Sequence, residues 1–168
     1  PDMVAFKSHL LGDAAPPSYV QRPLDLIESD DYVADLGDAL RRVSPTVVVT
    51  EGLLPYFDAP QRQHIFEQIA ALLRHCGGGV YLTDMHHQEA VDRMGPVGFA
   101  FRTALHHMTD TVQATLIQDM DEGRTVMKAA GFDQVQGHDP GDFVDALGLV
   151  VKDRSSGLTI YEASLAGE

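Results

Sequence analysis

Residues 46–56 read Thr46-Val47-Val48-Val49-Thr50-Glu51-Gly52-Leu53-Leu54-Pro55-Tyr56, five β-branched residues followed by an acid and a glycine. A β-branched run without polar alternation has no side suited to water, which is how a strand covered on both faces reads. It predicts a central parallel sheet. The next residues support this. Asp58 is a good N-cap, Pro60 sits early in a helix, and Ile65, Phe66, Ile69, Leu72 and Leu73 fall on one stripe of it. Gly77-Gly78-Gly79 ends that helix, and Val80-Tyr81-Leu82-Thr83-Asp84 is a second buried strand. The order strand, helix, strand implies a crossover that is almost always right-handed.

Working outward, Met3 to Leu11 has apolar positions at Val4, Phe6, Leu10 and Leu11 that suit a short helix, ended by Gly12 and Pro16-Pro17. Tyr19 to Leu26 places Val20, Leu24 and Leu26 in near alternation, a short strand whose end carries Asp25. Tyr32 to Val43 has helical spacing and is stopped by Ser44-Pro45. Beyond Met85, Gly95-Pro96 breaks one helix and Phe99 to Met108 begins another, in a region placed to cover a ligand. Asp121 to Ala130 reads as a helix ending at Gly131, followed by strands at Gln134 to Gly137 and Leu158 to Ala163. The expectation is one domain over residues 1–168: a doubly wound α/β sheet, parallel in its recognisable part, with a late antiparallel strand.

The chain carries a net charge of −13, with 12 Lys and Arg among 25 acids and no basic run, which argues against a surface that tracks nucleic-acid phosphates. The same balance disfavours anionic membrane, and no apolar run approaches the roughly 20 residues that span a bilayer. Cys76 is the single cysteine, so an internal disulfide and a multi-cysteine zinc site are excluded. A cytoplasmic setting is expected. The opening Pro1-Asp2-Met3 reads as a loop running into a helix start, like a chain entered partway.

The string TVVVTEGLLPY at 46–56 resembles the hallmark segment of the leucine carboxyl methyltransferase family, which includes polyketide O-methyltransferase relatives and usually reads like EGLLMYL. Three further pieces agree in order and spacing. PDMVAFK at 1–7 resembles the family's LPEV…K segment, PLDL at 23–26 its third-strand end, and KAAGF at 128–132 its late AAGF element. The resemblance covers nearly the whole chain. It implies a Rossmann-like class I methyltransferase fold and S-adenosyl-L-methionine as cofactor, with transfer of a methyl group to an oxygen of a small molecule or carboxylate. The family's glycine-rich loop after the first strand, and the acid ending the second, have no counterpart in this sequence. Val33 to Asp38 holds one glycine inside a helical pattern and does not replace the loop.

By resemblance, Asp25 and Leu26 meet the adenine, the carboxylate accepting from the exocyclic amine and the leucine supplying an apolar face. Read without it, Asp25 is an ordinary strand-end acid. Glu51, Gly52 and Leu53 complete the cofactor set. Glu51 follows the buried strand at the carboxyl edge, where open α/β sheets place ligands, and the resemblance gives it the cofactor's ammonium or sulfonium region. The other use of Glu51 is a salt-bridge or helix-dipole acid. Gly52 lets backbone approach a ligand, or simply makes a turn. Tyr56 lines the pocket or packs in the core. Pro55 stands where the family has a methionine-like residue, stiffening the segment and removing an N–H.

Asp84, His86 and His87, with His106-His107, raise a metal-dependent enzyme as an alternative. Adjacent side chains diverge, however, and no His-x-x-x-His spacing fixes a third ligand, so no metal is expected. His86 or His87 is better used to orient or deprotonate a substrate hydroxyl; methyl transfer depends chiefly on an in-line nucleophile, and a carboxylate acceptor needs no base. The other alternative is a non-catalytic binding or oligomerisation module. In the resembled fold the first strand pairs beside Thr46 to Thr50. The expectation is therefore that residues upstream of Pro1, another segment, or a partner chain such as a second copy covers that edge.

Overall fold

The computed structural model describes residues 2–40, 45–109, 116–150 and 157–166, and their contacts divide into two units, Pro1–Asp30 and Asp31–Glu168. In the first, α1 (Asp2–Leu11) forms as expected and ends where Gly12 takes a positive φ of 44°. The expected strand at Tyr19 to Leu26 does not form: residues 18–25 carry no strand assignment. Alternation supplies a strand's side chains but not its hydrogen-bond partners, and no described segment offers this stretch a ladder.

In the second unit, the helix expected from Tyr32 begins as a π-helical turn, Val33–Gly37, and continues as the single turn α2 (Asp38–Leu40). Residues 41–44 lie outside the described part. This turn packs on α3 (Ala59–His75), follows no strand, and so is no glycine-rich cofactor loop. Before α3 comes β1 (Thr46–Thr50) and after it β2 (Gly79–His86). Asp58 caps α3 by a capping box: its Oδ1 accepts from the Gln61 amide at 2.9 Å, and Gln61 Oε1 accepts from the Asp58 amide at 3.0 Å. The whole expected stripe, Ile65, Phe66, Ile69, Leu72 and Leu73, is buried.

Three more helices follow, α4 (Gln88–Arg93), α5 (Pro96–Thr109) and α6 (Met120–Ala129), then β3 (Gln134–His138) and β4 (Leu158–Leu165). The strand order is β1-β2-β4-β3. β1 pairs parallel with β2, while β4 is antiparallel to both β2 and β3, so three strands share one direction and the late strand opposes them. This is the mixed, mostly parallel sheet of a Rossmann-like fold. One face is packed. Tyr81, Thr83, Tyr161 and Ala163 are buried there, with Phe66 of α3, Met127 of α6 and Phe132 above them, and Tyr81 stacks on Phe132 at 5.9 Å.

The other face differs from the sequence expectation. Val47 is 56% and Val49 63% exposed, so the β-branched run is covered on the side of Thr46 and Val48 only. β1 is also an edge of the sheet, and no described segment of this chain pairs with its outer side. A β-branched run marks what a strand is suited to bury; it does not carry the covering layer with it.

The register of β1 on β2 depends on Gly79. A Cβ there would stand 2.3 Å from the Thr46 carbonyl oxygen and 2.9 Å from Leu73 Cδ2. Because the first obstacle is backbone, Gly79→Ala is expected to cost about 3 kcal/mol. Urea unfolding checks it, and a loss below about 1 kcal/mol would show that β1 yields instead of resisting.

Candidate functional site

Parallel pairing makes β1 and β2 end at the same sheet edge, Thr50 level with Thr83. On the packed face the edge has a rigid floor: the Thr50 hydroxyl lies 2.8 Å from the Tyr81 hydroxyl and 2.8 Å from Thr83 Oγ1. Burial pushes the Tyr81 phenol pKa up, against the hydrogen bonds from Thr50 and Thr83, so it remains a neutral phenol. Asp84 points to the opposite face, as strand alternation requires. Its Oδ1 accepts from the Gly52 amide at 2.8 Å.

That bond pins the turn in which three of the expected cofactor residues lie. Gly52 has a φ of +61°, and nothing stands within 4 Å of where its Cβ would be. Glu51, just before it, is exposed, and Leu53 is half-buried. Leu54 and Pro55 are buried in a 3-10 turn, Leu54–Tyr56, closed by the Tyr56 amide on the Leu53 carbonyl at 3.2 Å. Pro55 fits because this turn does not ask it for an N–H. Tyr56 is 42% exposed, which suits a pocket wall better than a core position.

Asp25 and Leu26 belong to the first unit. Asp25 Oδ1 accepts from the Ile27 and Glu28 amides, each at 3.0 Å, an Asx turn. These bonds, Glu28 first, hold its carboxyl below the ordinary value. Asp25 is thus an exposed anion with one oxygen already engaged.

The three residues of the metal reading are separately engaged. Asp84 holds Gly52, His86 Nδ1 lies 3.2 Å from the Gly157 carbonyl, and His87 Nε2 lies 3.1 Å from the Tyr161 hydroxyl. Among the described residues no three His, Cys, Asp or Glu side chains gather as a ligand set. The side chains of His106 and His107 lie outside the described part. The Tyr161 hydroxyl in turn donates to the Met120 carbonyl at 3.2 Å. Burial lowers the His87 pKa from its ordinary 6.5, outweighing Asp119 and Glu89, which raise it.

Sequence reading missed two of these roles. Tyr161 appeared only as a strand residue, yet it is fully buried and joins β4 to α4 and α6. The signal lies in α6: Gly123 interrupts an otherwise good helix, and a Cβ there would meet the Tyr161 hydroxyl at 2.2 Å. Arg62 is the other. It is only 9% exposed, sits among the apolar stripe of α3, and donates to the Phe57 carbonyl at 3.5 Å. Burial lowers its pKa, while Glu122 and Asp58 favour its charge.

No protein-family model and no curated protein matches the sequence. Solved structures do. A candidate O-methyltransferase of Nostoc punctiforme is similar over 98% of this chain and 41% of its own, with 15% identity and a TM-score of 0.57. An O-methyltransferase family protein of Burkholderia thailandensis is similar over 99% of this chain and 41% of its own, at 17% identity and a TM-score of 0.56. PigF, solved with SAH, covers 97% of this chain at 14% identity and a TM-score of 0.53. What the chain shares with these structures is the Rossmann-like fold. The chain spans about two-fifths of the length of the first two, 41%. No helix among the described residues is long and apolar enough to cross a membrane.

Two outcomes test the site as built. Asp84→Ala is expected to cost about 1 kcal/mol and to speed amide hydrogen exchange at Gly52 while leaving α3 protected. His87, whose folded pKa is depressed, contributes stability that is present above pH 6.5 and lost as pH falls below it, because the unfolded chain then binds the proton more readily. Thermal unfolding from about pH 8 to about pH 5 should show the chain's advantage over His87→Asn shrinking as pH falls.

Proposed function

We propose that this chain is the carboxyl-terminal part of an S-adenosyl-L-methionine-dependent O-methyltransferase, of the leucine carboxyl methyltransferase type that its EGLLPY segment resembles. The acceptor is an oxygen of a small molecule or carboxylate and the setting cytoplasmic. The observation that carries the reading is the Gly52 turn, pinned by Asp84 at the carboxyl edge of two parallel strands. Ligands of open α/β sheets bind at such an edge. The exposed Glu51 carboxylate beside it suits the ammonium or sulfonium side of the cofactor, the Gly52 backbone admits close approach, and Leu53 supplies apolar contact. When bound, the cofactor supplies an electrophilic methyl group; the chain's task is to orient it and exclude water.

A second reading rests on a different observation, the exposed Val47 and Val49 on an edge strand. It makes the chain a methyltransferase-fold module whose β1 is covered by a second copy or by residues preceding Pro1.

Calorimetric titration of S-adenosyl-L-methionine, or its demethylated product, into this chain is expected to give saturable heat. Glu51→Gln should weaken binding by about tenfold, the worth of one charge-assisted contact. Heat no greater than dilution would sink the enzyme reading for this chain and leave the module standing.

A further inference from the structure

In the first unit, Met3, Phe6 and Leu10 of α1 stand three and four residues apart, on one face of the helix. Such a stripe is suited to burial, yet Met3 is 76% and Leu10 68% exposed. With Val20, from the segment that follows α1, these residues line an open groove of about 580 Å³, within the size range of small-molecule sites. The walls are tied together. The Tyr19 amide closes a turn on the Pro16 carbonyl at 2.8 Å, and beyond it Ser8 Oγ donates to Gln21 Oε1 at 3.1 Å, while Gln21 Nε2 donates to the Tyr19 hydroxyl at 3.1 Å. The phenol accepts there, so its own hydrogen is left to donate.

The charge of this groove is opposite to that of the chain. Residues 1–30 hold more acids than bases, but both of their cations, Lys7 and Arg22, line the groove, and no carboxylate is among the described residues that do. Lys7 falls one turn from both Met3 and Leu10, so its methylenes join the stripe while the ammonium stands above it. The ammonium lies 5.9 Å from the centroid of the Tyr19 ring and makes no ion pair among the described residues.

We propose that this groove binds a free single-chain carboxylate, a medium-chain fatty acid, with its head at Lys7 and its chain along Met3, Phe6, Leu10 and Val20. An apolar trough with a cation inside its stripe selects a ligand that is apolar and anionic at once. The stripe rises about 10 Å from Met3 to Leu10, which suits a chain of about ten carbons. The net charge of −13 opposes both a second copy and an anionic bilayer as occupant, whereas a small monoanion reaches the local positive field of Lys7 and Arg22 at little cost. The site lies wholly within the first unit and is independent of the methyl-transfer reading.

The test is titration of the full chain with decanoate below its micelle-forming concentration, read by calorimetry and by amide chemical shifts. Saturable one-to-one binding with a Kd below about 1 mM is expected, with shifts concentrated in residues 3–11 and 19–22. Decanol, which lacks the charge, is expected to bind about fivefold more weakly. Lys7→Met, an exposed change that keeps the apolar stem, should lower decanoate affinity by about fivefold and leave decanol unchanged, whereas Phe6→Ser should weaken both. Equal affinity for decanoate and decanol, or shifts outside the groove, would overturn the assignment. So would a concentration-dependent dimer in sedimentation that Phe6→Glu dissolves, since the groove would then belong to a second copy. Pelleting with phosphatidylglycerol vesicles without decanoate binding would give the groove to a membrane surface and overturn it equally.

Discussion

The approach of Gly79 to the Thr46 carbonyl sets the level of β2 against β1, and the site inherits that level. With Gly79 paired to Thr46, Thr50 comes opposite Thr83. The two hydroxyls then meet Tyr81 from one side, and Asp84 reaches the Gly52 amide from the other. A slip of one residue would turn Asp84 into the packed face, where an unpaired carboxylate costs several kcal/mol, on the order of 2–5. The glycine triplet that ends α3 therefore also aligns the carboxyl edge.

The legible parts were those in which local pattern and tertiary packing agree. The Asp58 cap, the stripe from Ile65 to Leu73, both parallel strands and the late pair β3 and β4 stand where sequence periodicity puts them. The failures share a cause: pattern reports what a segment is suited to, not what it meets. Tyr19 to Leu26 alternates like a strand but has no ladder, and Val47 and Val49 are suited to burial but lack a cover in this unit. At the candidate site, the EGLLPY segment singled out Glu51 to Leu53 as an expectation, while nothing local to Asp84 announced its bond to Gly52, 32 residues away. Tyr161 and Gly123 were legible only as a pair, because the missing side chain of one makes room for the hydroxyl of the other.

The buried polar groups are arranged so that most stay neutral. Tyr81 and Tyr161 are desolvated phenols whose burial raises their pKa, and the half-buried His87 is an imidazole whose partial desolvation lowers it. In each case the uncharged form is the one that keeps its hydrogen bonds without a counter-ion. Arg62 is the exception. Its charge is tolerated because Glu122 at the start of α6 and Asp58 at the start of α3 both favour it, which ties the two helix N-termini together electrostatically.

The open side of β1 and the candidate site are physically linked. Any strand laid along the free edge of β1 runs beside Thr50 and ends next to Glu51, since that edge and the pinned turn are continuous in the chain. Covering Val47 and Val49 would remove water from the same neighbourhood, and a carboxylate attracts a cation more strongly as its surroundings become drier. The covering layer is therefore coupled to the strength of the site. Whatever packs on β1, whether residues of the same chain or of another copy, would act on Glu51 through its solvation before making any contact with a ligand.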